Sequence, residues 1–265
     1  MPDVQLLIID PQNDFCEPRG ALAVPGAGAD MDRLGDVLNR IGSQVSAIHV
    51  TLDSHHFVDI AHPVFWRNRQ GGHPAPFTII SHQSVRDGLW LTTSAEQQAW
   101  ALEYTAALAA NHRYDLCIWP PHCLIGSWGA QVHAGLYGSL GLWETSQEKS
   151  VNYVLKGGNP LTEHYSAIQA DVKLSDDPGT SVNRGLLDRL SAADLVLVAG
   201  EAMSHCVRFS TLDLLDQLPA QASKKIVILE DAMSSVGGFE SAGREFLETA
   251  RGRGVRVDRC GQFSL

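Results

Sequence analysis

No stretch of about 18 consecutive apolar residues occurs in the chain, which excludes an ordinary membrane-spanning helix. Clustered Lys and Arg are also missing. With a formal net charge of −10, the chain is poorly equipped for a nucleic-acid backbone, which is bound through grouped cations. Its five cysteines (Cys16, Cys117, Cys123, Cys206 and Cys260) are odd in number, widely scattered and without a CxxC pair. Neither a disulfide framework nor a thiolate zinc site is indicated, and each thiol is by default a small buried hydrophobe. The opening Met1-Pro2-Asp3-Val4-Gln5 lacks the basic flank and cleavage site of a signal peptide, so the cytoplasm is expected. Repeats and low-complexity segments are absent.

What is present suits a buried globular core: 44% of the 265 residues are hydrophobic and 19% charged. Short apolar runs at 4–9, 45–52, 116–119, 151–155, 195–199, 225–229 and 255–257 read as strands. Between them, helical spacing marks 30–41, 95–110, 182–190, 206–218 and 239–251. Strands of about five residues alternating with helices predict an α/β fold, a mostly parallel Rossmann-like sheet covered on both faces. Residues 56–94, rich in Pro, Gly, His and aromatics, exceed an ordinary connection and read as an insertion shaping a site. The expected organisation is a single domain over 1–265 carrying that insertion.

Ligands of open parallel sheets bind beyond the carboxyl ends of the strands. Asp10 ends the first run; Asp53 and His55 follow the second, and His122 the third. Lys156 ends the fourth, and Cys206 follows the fifth after a short loop. Cys206 sits between a strand and a helix, where the helix dipole favours thiolate and backbone N–H groups can hold an oxyanion. Lys156 would lower the thiol pKa further and hold a carboxylate, and Asp10 completes a nucleophile, proton carrier and electrostatic organiser. Asp53 and His55, two apart on an extended segment, point the same way. With His122 they form a carboxylate and two imidazoles that suit Zn, Fe or Mn. Packed cysteine, turn-forming Asp-Pro and solvated histidines are the bland readings of these residues taken singly. His56, His62, His73 and His82 are further candidates for the lid or the surroundings of the metal.

Five ordered motifs resemble the nicotinamidase group of the isochorismatase-like cysteine hydrolases. They are Leu7-Ile8-Ile9-Asp10-Pro11-Gln12-Asn13-Asp14-Phe15, Leu52-Asp53-Ser54-His55, Trp119-Pro120-Pro121-His122-Cys123, Lys156-Gly157 with His164-Tyr165-Ser166-Ala167, and Gly200 to Cys206 continuing into Val207-Arg208-Phe209. The resemblance implies a Cys206-Asp10-Lys156 triad, a cis peptide at Glu201-Ala202, and an oxyanion hole from the N–H groups of Ala202 and Cys206. It further implies Phe15 and Trp119 flanking an aromatic ring, and a divalent ion on Asp53, His55 and His122 that binds the ring nitrogen. Nicotinamide hydrolysis to nicotinate and ammonia, within NAD salvage, is the implied reaction. The sequence departs from the group at Met203-Ser204, where Thr-Asp is common, and at Ser54, where Trp is usual. Another amide, ureide or carbamoyl substrate is the alternative, although such relatives generally lack the D-x-H…H cluster. An ether hydrolase of the isochorismatase type would lack the cysteine, and a non-catalytic binding protein would not need the triad. A small-molecule substrate is the expected partner, and a homo-oligomer is compatible with the sequence.

Overall fold

The computed structural model describes residues 2–265. Its centre is a six-stranded sheet built from β1 (Val4–Ile9), β2 (Ala47–Asp53), β3 (Asn152–Lys156), β4 (Leu195–Gly200), β5 (Ile226–Leu229) and β6 (Arg256–Asp258). The order across the sheet is β6-β5-β4-β1-β2-β3, with every pairing parallel. All six residues of β1 are buried, because parallel strands covered on both faces have no solvent side. That explains an apolar run without alternation. At the edge, β3 alternates instead: Tyr153 and Leu155 face out while Lys156 turns inward.

The six longer helices are α1 (Ala27–Ile41), α2 (Gln98–Ala110), α3 (Ala134–Gln147), α4 (Arg184–Ala192), α5 (Arg208–Gln217) and α6 (Glu240–Gly252). Five of them match sequence periodicity within a few residues. The sequence gives no such signal for α3, which is apolar nearly all round and carries Gly135, Gly138 and Gly141. It buries Leu136, Leu140 and Trp143. Its approach to α1 is close: a Cβ on Gly35 would lie 3.1 Å from Ser139 Oγ and 3.3 Å from the Gly135 carbonyl oxygen.

One strand expectation needs correction. Residues 116–119 do not join the central sheet; Leu116–Cys117 pairs antiparallel with Ile79–Ile80 in a separate two-stranded ribbon. The apolar run is short enough to be satisfied by local pairing, and periodicity cannot distinguish the two. His122 therefore comes from a loop rather than a sheet strand, and a bridge between His55 and Leu124 brings that loop to the end of β2. The 56–94 segment holds a second ribbon, Trp66–Arg67 with Leu91–Thr92, and a short helix His82–Arg86. Trp66 anchors it, fully buried, with its indole N–H donating to the Ile60 carbonyl at 2.6 Å. Among the described residues no helix is long and apolar enough to cross a membrane.

Candidate active site and metal centre

Adjacent strands β4, β1, β2 and β3 end side by side, and four of the expected residues meet there. Asp10 leaves β1 in the left-handed region at φ 42°, a conformation that Asp tolerates better than most residues. Its N–H donates to Thr51 Oγ1 at 3.0 Å, and the Thr51 hydroxyl donates back to Asp10 Oδ1 at 2.5 Å. Lys156 Nζ lies 2.8 Å from Asp10 Oδ2, 3.1 Å from Asp53 Oδ1, 2.9 Å from the His164 carbonyl and 3.6 Å from Cys206 Sγ. All four side chains are buried. The sequence placed a cation beside a thiol and a carboxylate; the structure adds Asp53 as a second carboxylate on the same ammonium.

Cys206 lies in a π-helical turn, Met203–Val207, that runs into α5. The Glu201–Ala202 peptide is cis. Gly200, at φ 114°, lets β4 press against β1: a Cβ there would stand 2.1 Å from the Ile9 carbonyl oxygen. The expectation of a lowered thiol pKa is not met. Burial pushes Cys206 well above the ordinary thiol range, Lys156 pulls it back, and Asp10 and Asp53 push it up again. Desolvation outweighs the pull of the single nearby cation. Burial likewise raises Asp10 against the pull of Lys156. The resting pair is thus a thiol beside a carboxylate of enhanced basicity, suited to proton transfer when a substrate arrives.

Around Asp53 Oδ2 the imidazoles gather. His55 Nε2 is 3.1 Å away and His122 Nε2 3.6 Å away. Donor atoms of Asp53, His55 and His122 all lie within 4.8 Å of one another. His122 Nδ1 donates to the Pro120 carbonyl at 2.9 Å, and His62 Nδ1 to the His56 carbonyl at 3.0 Å. A carbonyl only accepts, so in the neutral form both rings present an Nε2 lone pair. His62 Nε2 is buried with no partner, and its ring centroid is 5.2 Å from that of His55 and 5.6 Å from that of His122. Lone pairs of several imidazoles converging on a carboxylate oxygen fit a divalent cation. Of the other insertion histidines, His73 donates to the Trp66 carbonyl and His82 meets Thr105, so neither is tied to this cluster.

A narrow cleft joins the Cys206 thiol to Asp53 and His122. Phe15, Trp119, Asp53, His122, Ala202 and Cys206 all line it, which brings together the expected ring-flanking, metal and oxyanion residues. The Trp119 indole N–H donates to Tyr165 Oη at 2.9 Å, and Phe15 packs edge-on against His122.

Sequence reasoning missed several residues. His205 lines the cavity, kept neutral by burial that lowers its pKa to about 3. Glu163, also on the wall, is raised to about 8, by burial first, and its Oε1 stands 3.9 Å from His55 Nε2. Gln12 clasps the Asp53 main chain, its Nε2 donating to the carbonyl and its Oε1 accepting the N–H, each at 2.8 Å. Asp14 accepts the Cys123 N–H at 2.6 Å and fixes the loop that carries His122. Only the polar character of the Gln12-Asn13-Asp14 run hinted at these clasps.

No protein-family model matches the chain. It is 28% identical to the nicotinamidase of Escherichia coli strain K12 over 237 residues, covering 89% of this chain and 85% of that one. The structure of the yeast nicotinamidase matches with a TM-score of 0.66 at 20% identity, over 96% of this chain and 99% of that one. The pyrazinamidase of Pyrococcus horikoshii, solved in complex with zinc, matches with a TM-score of 0.57 at 20% identity, over 97% and 99%. Fold, ordered motifs and these similarities agree: the chain is similar to nicotinamidases along most of its length and shares the isochorismatase-like fold of their solved structures.

Proposed function

We propose that the protein hydrolyses nicotinamide to nicotinate and ammonia through a thioester on Cys206. The observation that carries this reading is the single buried ion-pair network in which Lys156 touches Asp10, Asp53 and Cys206, joining a thiol to a metal-binding carboxylate. The nicotinamidase relatives and the group's amide chemistry support the substrate.

Asp10 takes the Cys206 proton as sulfur attacks the amide carbonyl, and a C–S bond forms. Lys156 offsets the negative charge that builds between sulfur and Asp10. The oxyanion is received by the N–H groups of Ala202 and Cys206 on the cavity wall. Asp10 returns the proton to the departing nitrogen, the C–N bond breaks, and ammonia leaves. Asp10 then accepts a proton from water, which attacks the thioester; the C–S bond breaks and Cys206 recovers its proton. Asp53, His55 and His122 would hold a divalent ion, which would supply a Lewis-acidic position for the ring nitrogen. Zinc is the assignment favoured by the ligand set, with iron and manganese as alternatives. Phe15 and Trp119 confine the ring, so the carbonyl meets sulfur without a search. The proposed setting is NAD salvage in the cytoplasm.

Ammonia release from nicotinamide and a panel of small amides and ureides tests the reading. Turnover of nicotinamide should vanish in Cys206→Ala and fall in chelated protein. Turnover of ureides alone would keep the triad and remove the substrate.

A further inference from the structure

Asp59 belongs to none of the five sequence motifs, yet it is fully buried beside the imidazole cluster. Its Oδ2 lies 2.9 Å from His55 Nδ1, and its Oδ1 accepts the Ala61 N–H at 2.9 Å. Its carbonyl accepts the His62 N–H at 2.9 Å. Each acceptor of this residue therefore has a task, one on the ring and two in the turn that opens the 56–94 segment.

An ionised carboxylate only accepts hydrogen bonds, so His55 Nδ1 must carry a hydrogen. In the neutral ring Nε2 then holds the lone pair, facing Asp53 Oδ2 at 3.1 Å. The three imidazoles differ in one respect. His122 and His62 are held by neutral backbone carbonyls, whereas His55 is held by a charge. A carboxylate behind an imidazole raises the basicity of the opposite nitrogen and fixes the ring's orientation.

We propose that Asp59 is a positioning residue for the metal centre: it locks His55 with hydrogen on Nδ1, strengthens Nε2 as a ligand, and ties that ring to the turn carrying His62. This rests on the reading of Asp53, His55 and His122 as metal ligands. Ion binding is thereby coupled to the entry of the 56–94 segment through one carboxylate.

The test uses metal-stripped full-length wild type, Asp59→Asn and Asp59→Ala, titrated with Zn(II) and Co(II) against a competing chromogenic chelator. Asp59→Ala should lower Zn(II) affinity by about 10–100-fold. Asp59→Asn keeps an oxygen for His55 but turns an NH2 toward the Ala61 N–H, and should fall between. The visible bands of bound Co(II) should shift in both variants. Wild-type affinity and an unchanged Co(II) spectrum in folded Asp59→Asn would overturn the proposal, even if its melting temperature dropped. Failure of wild type itself to bind either ion would instead remove the metal reading. Should Asp59→Ala not fold, the near-isosteric Asn variant decides the matter.

Discussion

Asp53 gives one carboxylate oxygen to Lys156 at 3.1 Å and turns the other toward the His55 and His122 imidazoles. Burial alone would raise its pKa, but His55 and Lys156 hold it well below the ordinary carboxylate range. On the proposed reading one anion serves both the triad and the metal centre, and variants on its two sides should behave differently. His122→Ala removes a ligand and leaves the Lys156 contacts in place. It should raise the KM for nicotinamide about tenfold or more, with Cys206 alkylation by iodoacetamide within about threefold of wild type. Asp53→Ala should impair both. Equal damage to alkylation in the two variants would contradict this division.

Removing the ammonium should be felt first in stability. Lys156→Met would leave Asp10 and Asp53 buried without their shared cation, and loss of one partner from a buried pair costs about 3–5 kcal/mol. Urea unfolding at pH 7.5 measures it. A variant as stable as wild type would show that the network contributes nothing to the fold.

Cys206→Ala should reduce kcat by about 10⁴-fold or more, because it removes the bond-forming atom and not merely a contact. Cys123→Ala, by contrast, should retain turnover per folded molecule, since Cys123 is a packed thiol whose N–H, and not its sulfur, is held by Asp14. Ammonia release normalised to folded protein distinguishes them.

Alkaline pH should destabilise the protein earlier than its charge would suggest. Burial raises Cys117 and Cys260 to about 12, and pushes Cys16, Cys123 and Cys206 up as well. A raised folded-state pKa means the native state keeps protons that the unfolded chain releases above about pH 8.5. Stability is therefore intact below that pH and is lost as pH rises, by up to about 1.4 kcal/mol per unit for each such thiol. Urea midpoints between pH 7 and 10.5 should fall; a flat profile would mean the thiols are not desolvated.

Gly200→Ala should be among the most damaging single-methyl additions. The new Cβ would collide with the β1 backbone at 2.1 Å, and neither strand can yield without breaking the Ile9–Gly200 register. A loss of more than about 3 kcal/mol is expected, with little soluble protein. Wild-type melting in this variant would show that β4 does not press on β1 as described.

Asp10, Lys156 and Cys206 were legible because strand ends in a parallel sheet share an edge, and short apolar runs mark those ends. Asp53 and His55 were legible from their two-residue spacing. His122 was identified on a mistaken premise, as the end of a sheet strand, and reaches the site through a ribbon and a bridge instead. Helix α3 stayed hidden because its glycines and all-round apolar surface carry no stripe. Gln12, Asp59, Glu163 and His205 were illegible for a different reason. Gln12 meets a partner 41 positions away, and burial decides the protonation of Glu163 and His205. Asp59 is only four positions from His55, but the fold gives that contact its meaning. The thiol pKa was misjudged because a local dipole can be read from sequence and desolvation cannot.

The β1–β4 pairing, from Val4 against Leu195 to Ile9 against Gly200, joins parts of the chain nearly 200 positions apart. During synthesis the first strand must wait for the later one, and such distant parallel pairings form slowly. Until then Asp10 and Cys206 are strangers. A nascent or truncated chain ending before β4 lacks Cys206, so chemical activity would itself report that the first strand had met its later partner.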